Sequence, residues 1–179
     1  MSNDAANNDA AQPQAMTVPM SVLSQYLKDF SFENPNAPGI LGLMSNGAPQ
    51  VNITVNLTTS QLQAPTPAAP PAYECALTLK ADATLKDPLG ADQPAFIVEC
   101  TYAGAFAFPA DLPEQLLRAL LMVEAPRLLF PFARAIVADA ARDGGFGPLM
   151  VNPIDFASMY ERQLQYEAQA ALAPQTGTA

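Results

Sequence analysis

The side chains in this sequence best placed to do chemistry are carboxylates: Asp29 and Glu33 in "KDFSFENPNAP", and Glu99 in "FIVEC". On a strand, residues two apart share a face, so Asp29, Ser31 and Glu33 point one way and Phe30 and Phe32 the other. The two acids then stand about 13 Å apart along the strand. Ile97, Glu99 and Thr101 repeat the pattern opposite Phe96, Val98 and Cys100. Such a face can present carboxylates to a basic partner, although a solvated strand face is also the ordinary home of acids.

Other chemistries lack their residues. The chain has no His, which removes the commonest general base and a usual metal ligand. Cys75 and Cys100 are isolated, without CxxC spacing, and each falls on the apolar side of an alternating run, which reads as two buried thiols. No GxSxG, GxxxxGK[ST] or strand-to-helix GxGxxG occurs, and the glycines of "RDGGFG" follow a helix and read as a turn. Ser/Lys or Asp/Glu catalysis stays open, but nothing specific points to it. The pattern is that of a binding protein more readily than of an enzyme, and it offers no metal site.

Composition narrows the partners. Among 179 residues there are 17 acids and 8 bases, a net charge of -9. That argues against nucleic acid and favours basic partners. With 14% charged and 50% hydrophobic residues, some apolar surface is expected to be covered by other subunits or clients. The N-terminus has neither a basic nor an apolar signal region and no run reaches the roughly 18 apolar residues of a membrane span. A cytoplasmic protein that does not insert into membrane is the expectation.

The elements that must position the acids follow from periodicity. Residues 1–20 read as a disordered leader, 21–172 as the folded domain, and 173–179 as a flexible tail, with a Pro-rich, PPII-like connector at 63–72. Four alternating runs, 22–33, 50–59, 72–86 and 95–108, predict an antiparallel sheet with one covered and one wet face. In the first, Phe30 and Phe32 are expected to anchor the strand to the core, and Pro35 and Pro38 to end its pairing. The period then changes to helical. Asp111 and Glu114 form a capping-box pattern, Pro126 is expected to interrupt that helix, and a second helix runs to Gly144–Gly145. A last helix is expected to start at Asn152–Pro153 and run to about Leu172. Strands followed by helices indicate α+β, with helices on one face of the sheet. The second helix is apolar almost all round, and Leu128, Leu129, Phe130, Phe132, Ile136 and Val137 cannot all face one sheet, which predicts a subunit interface.

In this order, "YLKDFSFENPNAP", "AFIVECTYAGAF", "APRLLFPFARAIVADAARDGGFGPLMVNPIDF" and a closing amphipathic helix resemble the SecB family of protein-export chaperones over roughly residues 22–167. The resemblance implies a homotetramer, a dimer of dimers, with neither enzymatic activity nor cofactor. It implies a protein that holds unfolded preproteins in the cytoplasm and passes them to the SecA motor ATPase. By the same resemblance, Asp29, Glu33, Ile97 and Glu99 would dock the motor's basic tail. A client groove would draw on Ile40, Leu41, Leu43 and Met44 of the first loop, with Phe156, Met159, Tyr160 and Leu164 of the last helix. The leader and "PTPAAPPA" depart from the family's pattern, and the closing "APQTGTA" lacks acids. A SecB-like chaperone dedicated to one client, such as an antitoxin, is the second reading, and a small-molecule enzyme the third.

Overall fold

The computed structural model describes residues 18–172. Most of the expected leader and all of the expected tail lie outside these residues. Four strands, β1 (Ser21–Glu33), β2 (Gln50–Gln61), β3 (Ala72–Lys86) and β4 (Asp92–Ala107), form one antiparallel sheet in the order β1-β4-β3-β2. The helices α1 (Glu114–Ala119), α2 (Ala125–Asp143) and α3 (Phe156–Leu172) follow. The α+β class and the four-stranded antiparallel sheet are as the alternation predicts.

The inner face of the sheet is apolar because each strand alternates. Cys75, Leu77, Leu79, Ala81 and Ala83 of β3 and Phe96, Val98 and Cys100 of β4 are buried. Helix α2 packs over these two strands with Leu129, Ala133, Val137 and Ala141 buried in the shared core, while Phe130 meets Phe156 of α3. It reaches β3 and β4 more than the edges, and that offset decides the fate of β1. Phe32 is half-buried and stacks on Phe96 at 5.8 Å, but Phe30 is 41% exposed. The expectation that both phenylalanines anchor β1 is therefore corrected: Phe30 points inward, past the edge of what the helices cover. Register shifts occur at Val22/Ser24 and Leu27/Asp29, so Lys28 is an extra residue opposite β4.

Three helix boundaries also differ from expectation. Asp111 caps nothing: α1 begins after Pro113, with no side-chain cap. Pro126 does not interrupt the helix. A π-helical turn at Leu120–Glu124 joins α1 to α2, and Pro126 occupies the first turn of α2, where a missing N–H costs least. The last helix starts at Phe156 rather than Pro153 because Asp155 provides its cap, accepting from Ser158 N at 3.1 Å and Ser158 Oγ at 2.7 Å. The end of α2 is as expected. Gly145, at φ +92°, completes it while Phe146 N donates to Ala141 O and Gly145 N to Arg142 O, the paired bonds of a Schellman stop.

Candidate functional site: two faces of one sheet

The outer face is polar and carries the acids. Register places Glu33 beside Ile97, and Ile97 beside Asp82 of β3. In the next row Ser31, Glu99, Lys80 and Thr54 follow one another across all four strands, and then Asp29, Thr101, Thr78 and Asn56. The four residues expected to dock a partner, Asp29, Glu33, Ile97 and Glu99, thus share one face on two neighbouring strands. The hydroxyls of Thr78 and Thr101 bond across the strands at 2.8 Å. Lys80 pairs with Asp82 at 3.5 Å, so a cation sits among the acids of these rows.

At one end this face is tied down by Glu74, whose carboxylate accepts from Tyr26 Oη and Lys28 Nζ. The Lys28 ammonium and the Tyr26 hydroxyl hold that carboxyl below the usual range. Reciprocally, the bond to Glu74 and partial burial push the Tyr26 phenol up to about 12. Tyr26 reaches over β4 to do this, because β4 lies between β1 and β3.

The inner face leaves an apolar track beside α2. The side chains of Val51, Ile53, Val55 and Leu57 on edge strand β2 face inward but are only half-buried. At one end the track meets the 3-10 segment Gly39–Asn46, where Leu41, Leu43 and Met44 are half-buried. At the other it meets a cleft of 520 Å³ lined by Leu57, Tyr73, Leu117, Leu121, Met122 and Gln163, among others. The segment Gly39–Asn46 packs near Thr84 and Leu85, and α3 packs on the π turn, whose Leu121 O accepts the thiol of Cys75. The two groups of expected groove residues therefore lie at opposite ends of β3, roughly 30 Å apart at 3.3 Å per residue. Ile40 and Phe156 are buried in the core, which removes them as open groove surface. Met159 and Tyr160 are half-buried and Leu164 is exposed. The inner stripe of β2, which joins the two ends, was readable in the alternation as an apolar face. Its incomplete covering was not.

The thiols are inert. Burial drives Cys75 up to about 12 and Cys100 to about 11. Among the described residues, no cluster of His, Cys, Asp and Glu could hold a metal ion, and no helix is long and apolar enough to cross a membrane.

A third surface runs over the open side of β1 and α2. Leu128, Phe132, Ile136 and Ala140 form an i, i+4 stripe, and Phe132 stacks on Tyr102 at 5.4 Å. Leu27, paired with Tyr102, and Phe30 extend it onto β1. Leu128 and Phe132 are 42% and 49% exposed. Leu129, Phe130 and Val137, by contrast, are buried within the chain, so half of the residues expected at an interface are core.

A polar, acid-bearing sheet face backed by a partly covered apolar track is the architecture of a polypeptide-binding α+β protein. Comparison with known proteins makes that class specific. The family model for preprotein translocase subunit SecB matches residues 12–167. The protein-export protein SecB of Rhodospirillum centenum is 44% identical over 158 residues, covering 88% of this chain and 87% of the relative. That of Azorhizobium caulinodans is 45% identical over 158 residues, covering 88% and 91%. The chain belongs to the SecB family, a family of chaperones rather than enzymes, and is a protein-export chaperone. Among solved structures, its fold matches a SecB-like chaperone of Mycobacterium tuberculosis in complex with an antitoxin peptide, at a TM-score of 0.55 and 14% identity, covering 76% of this chain and 91% of that one.

Proposed function

We propose that this chaperone holds unfolded preproteins without nucleotide and delivers them to the SecA motor ATPase. The carrying observation is the division of labour between the two sheet faces. Unfolded chains lie along the inner track, from Leu41, Leu43 and Met44, past Val51–Leu57 of β2, to Met159, Tyr160 and Leu164. Apolar burial there supplies binding free energy without directional demands, so many sequences fit and no ATP is needed. The motor docks on the outer face, its basic tail meeting Asp29, Glu33 and Glu99 with Ile97 as the apolar contact. The protein works in the cytoplasm as a homotetramer, a dimer of dimers, and the stripe of exposed Leu128 and Phe132 with half-buried Ile136, together with the open edge of β1, is the self-association surface. The acids of the outer face favour export over service to one dedicated client.

A mixing assay tests this. The protein should suppress aggregation of a diluted, unfolded preprotein in the absence of nucleotide and bind the motor ATPase. Reversal of charge at Asp29 and Glu33 together should abolish motor binding and leave aggregation suppression intact. Unchanged motor binding in that double variant would refute the docking assignment.

A further inference from the structure

Helix α3 is unevenly attached. Its first turn is anchored: Phe156 is 1% exposed and meets Phe130 edge-on at 6.1 Å, and Met159 and Tyr160 are half-buried. From Glu161 to Ala170 every residue is exposed. Across that free half, a single guanidinium ties the helix to the rest of the fold among the described residues. Arg118 of α1 donates to both carboxylate oxygens of Glu167, at 2.6 and 2.7 Å, and lies 5.9 Å from the centre of the Tyr160 ring. Gln163 donates to the same Glu167 at 2.9 Å. Arg118 and Gln163 are also on the rim of the 520 Å³ cleft whose apolar lining includes Leu57, Tyr73, Leu117 and Leu121.

We infer that Arg118 and Glu167 form an electrostatic latch that holds the free half of α3 across the mouth of this cleft, and that releasing it opens the cleft to an apolar polypeptide segment. The inference rests on the reading of the inner track as the polypeptide site. A single guanidinium nitrogen, Nη2, bonds both carboxylate oxygens, a charge-assisted contact, and the Tyr160 ring adds a cation–π contact. Yet the pair is solvent-exposed, at 46% and 42% for the two side chains. It is therefore worth little in water and is screened by salt. Such a tie sets a population and can be broken: the closed helix competes with a bound segment, and apparent affinity scales with the open fraction. Salt and the charge at Glu167 become controls on loading, while the anchored turn at Phe156 keeps the strap attached.

Opening can be read apart from binding in the full-length chain. Leu117→Cys places a thiol under the strap, and the native Cys75 and Cys100, fully buried, stay silent toward a maleimide. Adding Glu167→Gln should accelerate labelling of that thiol about 2- to 5-fold at low salt. The exchange of both charges, Arg118→Glu with Glu167→Arg, should return the rate toward its starting value, and about 0.5 M salt should erase the difference. In the chain without the added cysteine, Glu167→Gln should tighten binding of a reduced, carboxymethylated polypeptide by a similar factor. Should the half-buried Leu117→Cys fail to fold, amide hydrogen exchange of residues 161–170 gives the same reading. Labelling and exchange unmoved by Glu167→Gln would overturn the latch, and faster opening with unaltered polypeptide affinity would overturn its control of loading. Loss of polypeptide binding in every form, the parent chain included, would refute the inner-track reading itself, while the labelling rates would still report the latch.

Discussion

The ring of Phe32 fills the space that a side chain on residue 144 would need: a Cβ built on Gly144 would stand 2.3 Å from Phe32 Cζ. This close approach couples β1 to the end of α2, because Phe32 also stacks on Phe96. Gly144 has ordinary helical backbone angles, φ -72° and ψ -6°, so its role is steric rather than conformational.

Gly144→Ala is therefore expected to destabilise the fold by about 1–3 kcal/mol through overpacking. Phe32→Leu in the same chain should recover part of the loss. Urea unfolding of the three variants measures this. Additive losses would mean that the ring and the glycine do not share the space.

The Tyr26–Glu74–Lys28 cluster gives stability a pH dependence of fixed sign. The Glu74 carboxyl is lowered in the folded chain, chiefly by Lys28 and then Tyr26, so its contribution is present above its unfolded value near 4.5 and is lost as pH falls through the folded value. The Tyr26 phenol is raised to about 12 from 10, so its contribution is present below pH 10 and lost as pH rises through 12. Tyr26→Phe should cost about 1 kcal/mol at neutral pH and remove the alkaline loss that belongs to this group, while Glu74→Gln should flatten the acid limb. Denaturation midpoints across pH check both.

Much of this architecture was legible because a sheet with one covered face writes a period of two into its strands. The rows Glu33–Ile97 and Ser31–Glu99 follow from parity once the strands pair. Parity gives the face of Phe30 but not whether a helix lies over it, and α2 stops short of that edge. Likewise, a helix apolar all round declares that it is covered twice without saying by what. Leu129, Phe130 and Val137 are buried by their own chain, Phe130 against Phe156 of α3, while Leu128 and Phe132 are left half open. The π turn that absorbs Pro126 has no sequence pattern of its own, and the tie from Arg118 to Glu167 spans 49 residues, beyond any local period.

Lys80 should oppose the docking of a basic partner. It lies directly across from Glu99 and pairs with Asp82 on the same face, so it cancels part of the acidic field. Lys80→Gln is expected to tighten binding of a basic peptide about 2- to 5-fold at low salt, and Asp82→Asn to weaken it similarly. Both effects should shrink as salt shortens the screening length. Fluorescence anisotropy with a labelled basic peptide reads the affinities. Equal binding by both variants at low salt would place the contact elsewhere on the sheet.

The two sides of α2 should fail in different ways. Leu129 and Val137 are within the core at 0% and 1% exposure, so Leu129→Ala should cost about 2–5 kcal/mol and lower the unfolding midpoint without a direct effect on association. Leu128 and Phe132 keep 42% and 49% of their surface exposed in the single chain, so Leu128→Asp with Phe132→Asp should cost less stability than Leu129→Ala and leave the chain folded by circular dichroism. On an association surface those charges would be buried without partners, which is costly, and light scattering should show the assembly falling to smaller species. A wild-type chain that is monomeric at micromolar concentration would remove the reason for the stripe, and a double variant that keeps its full assembly mass would move the interface off it.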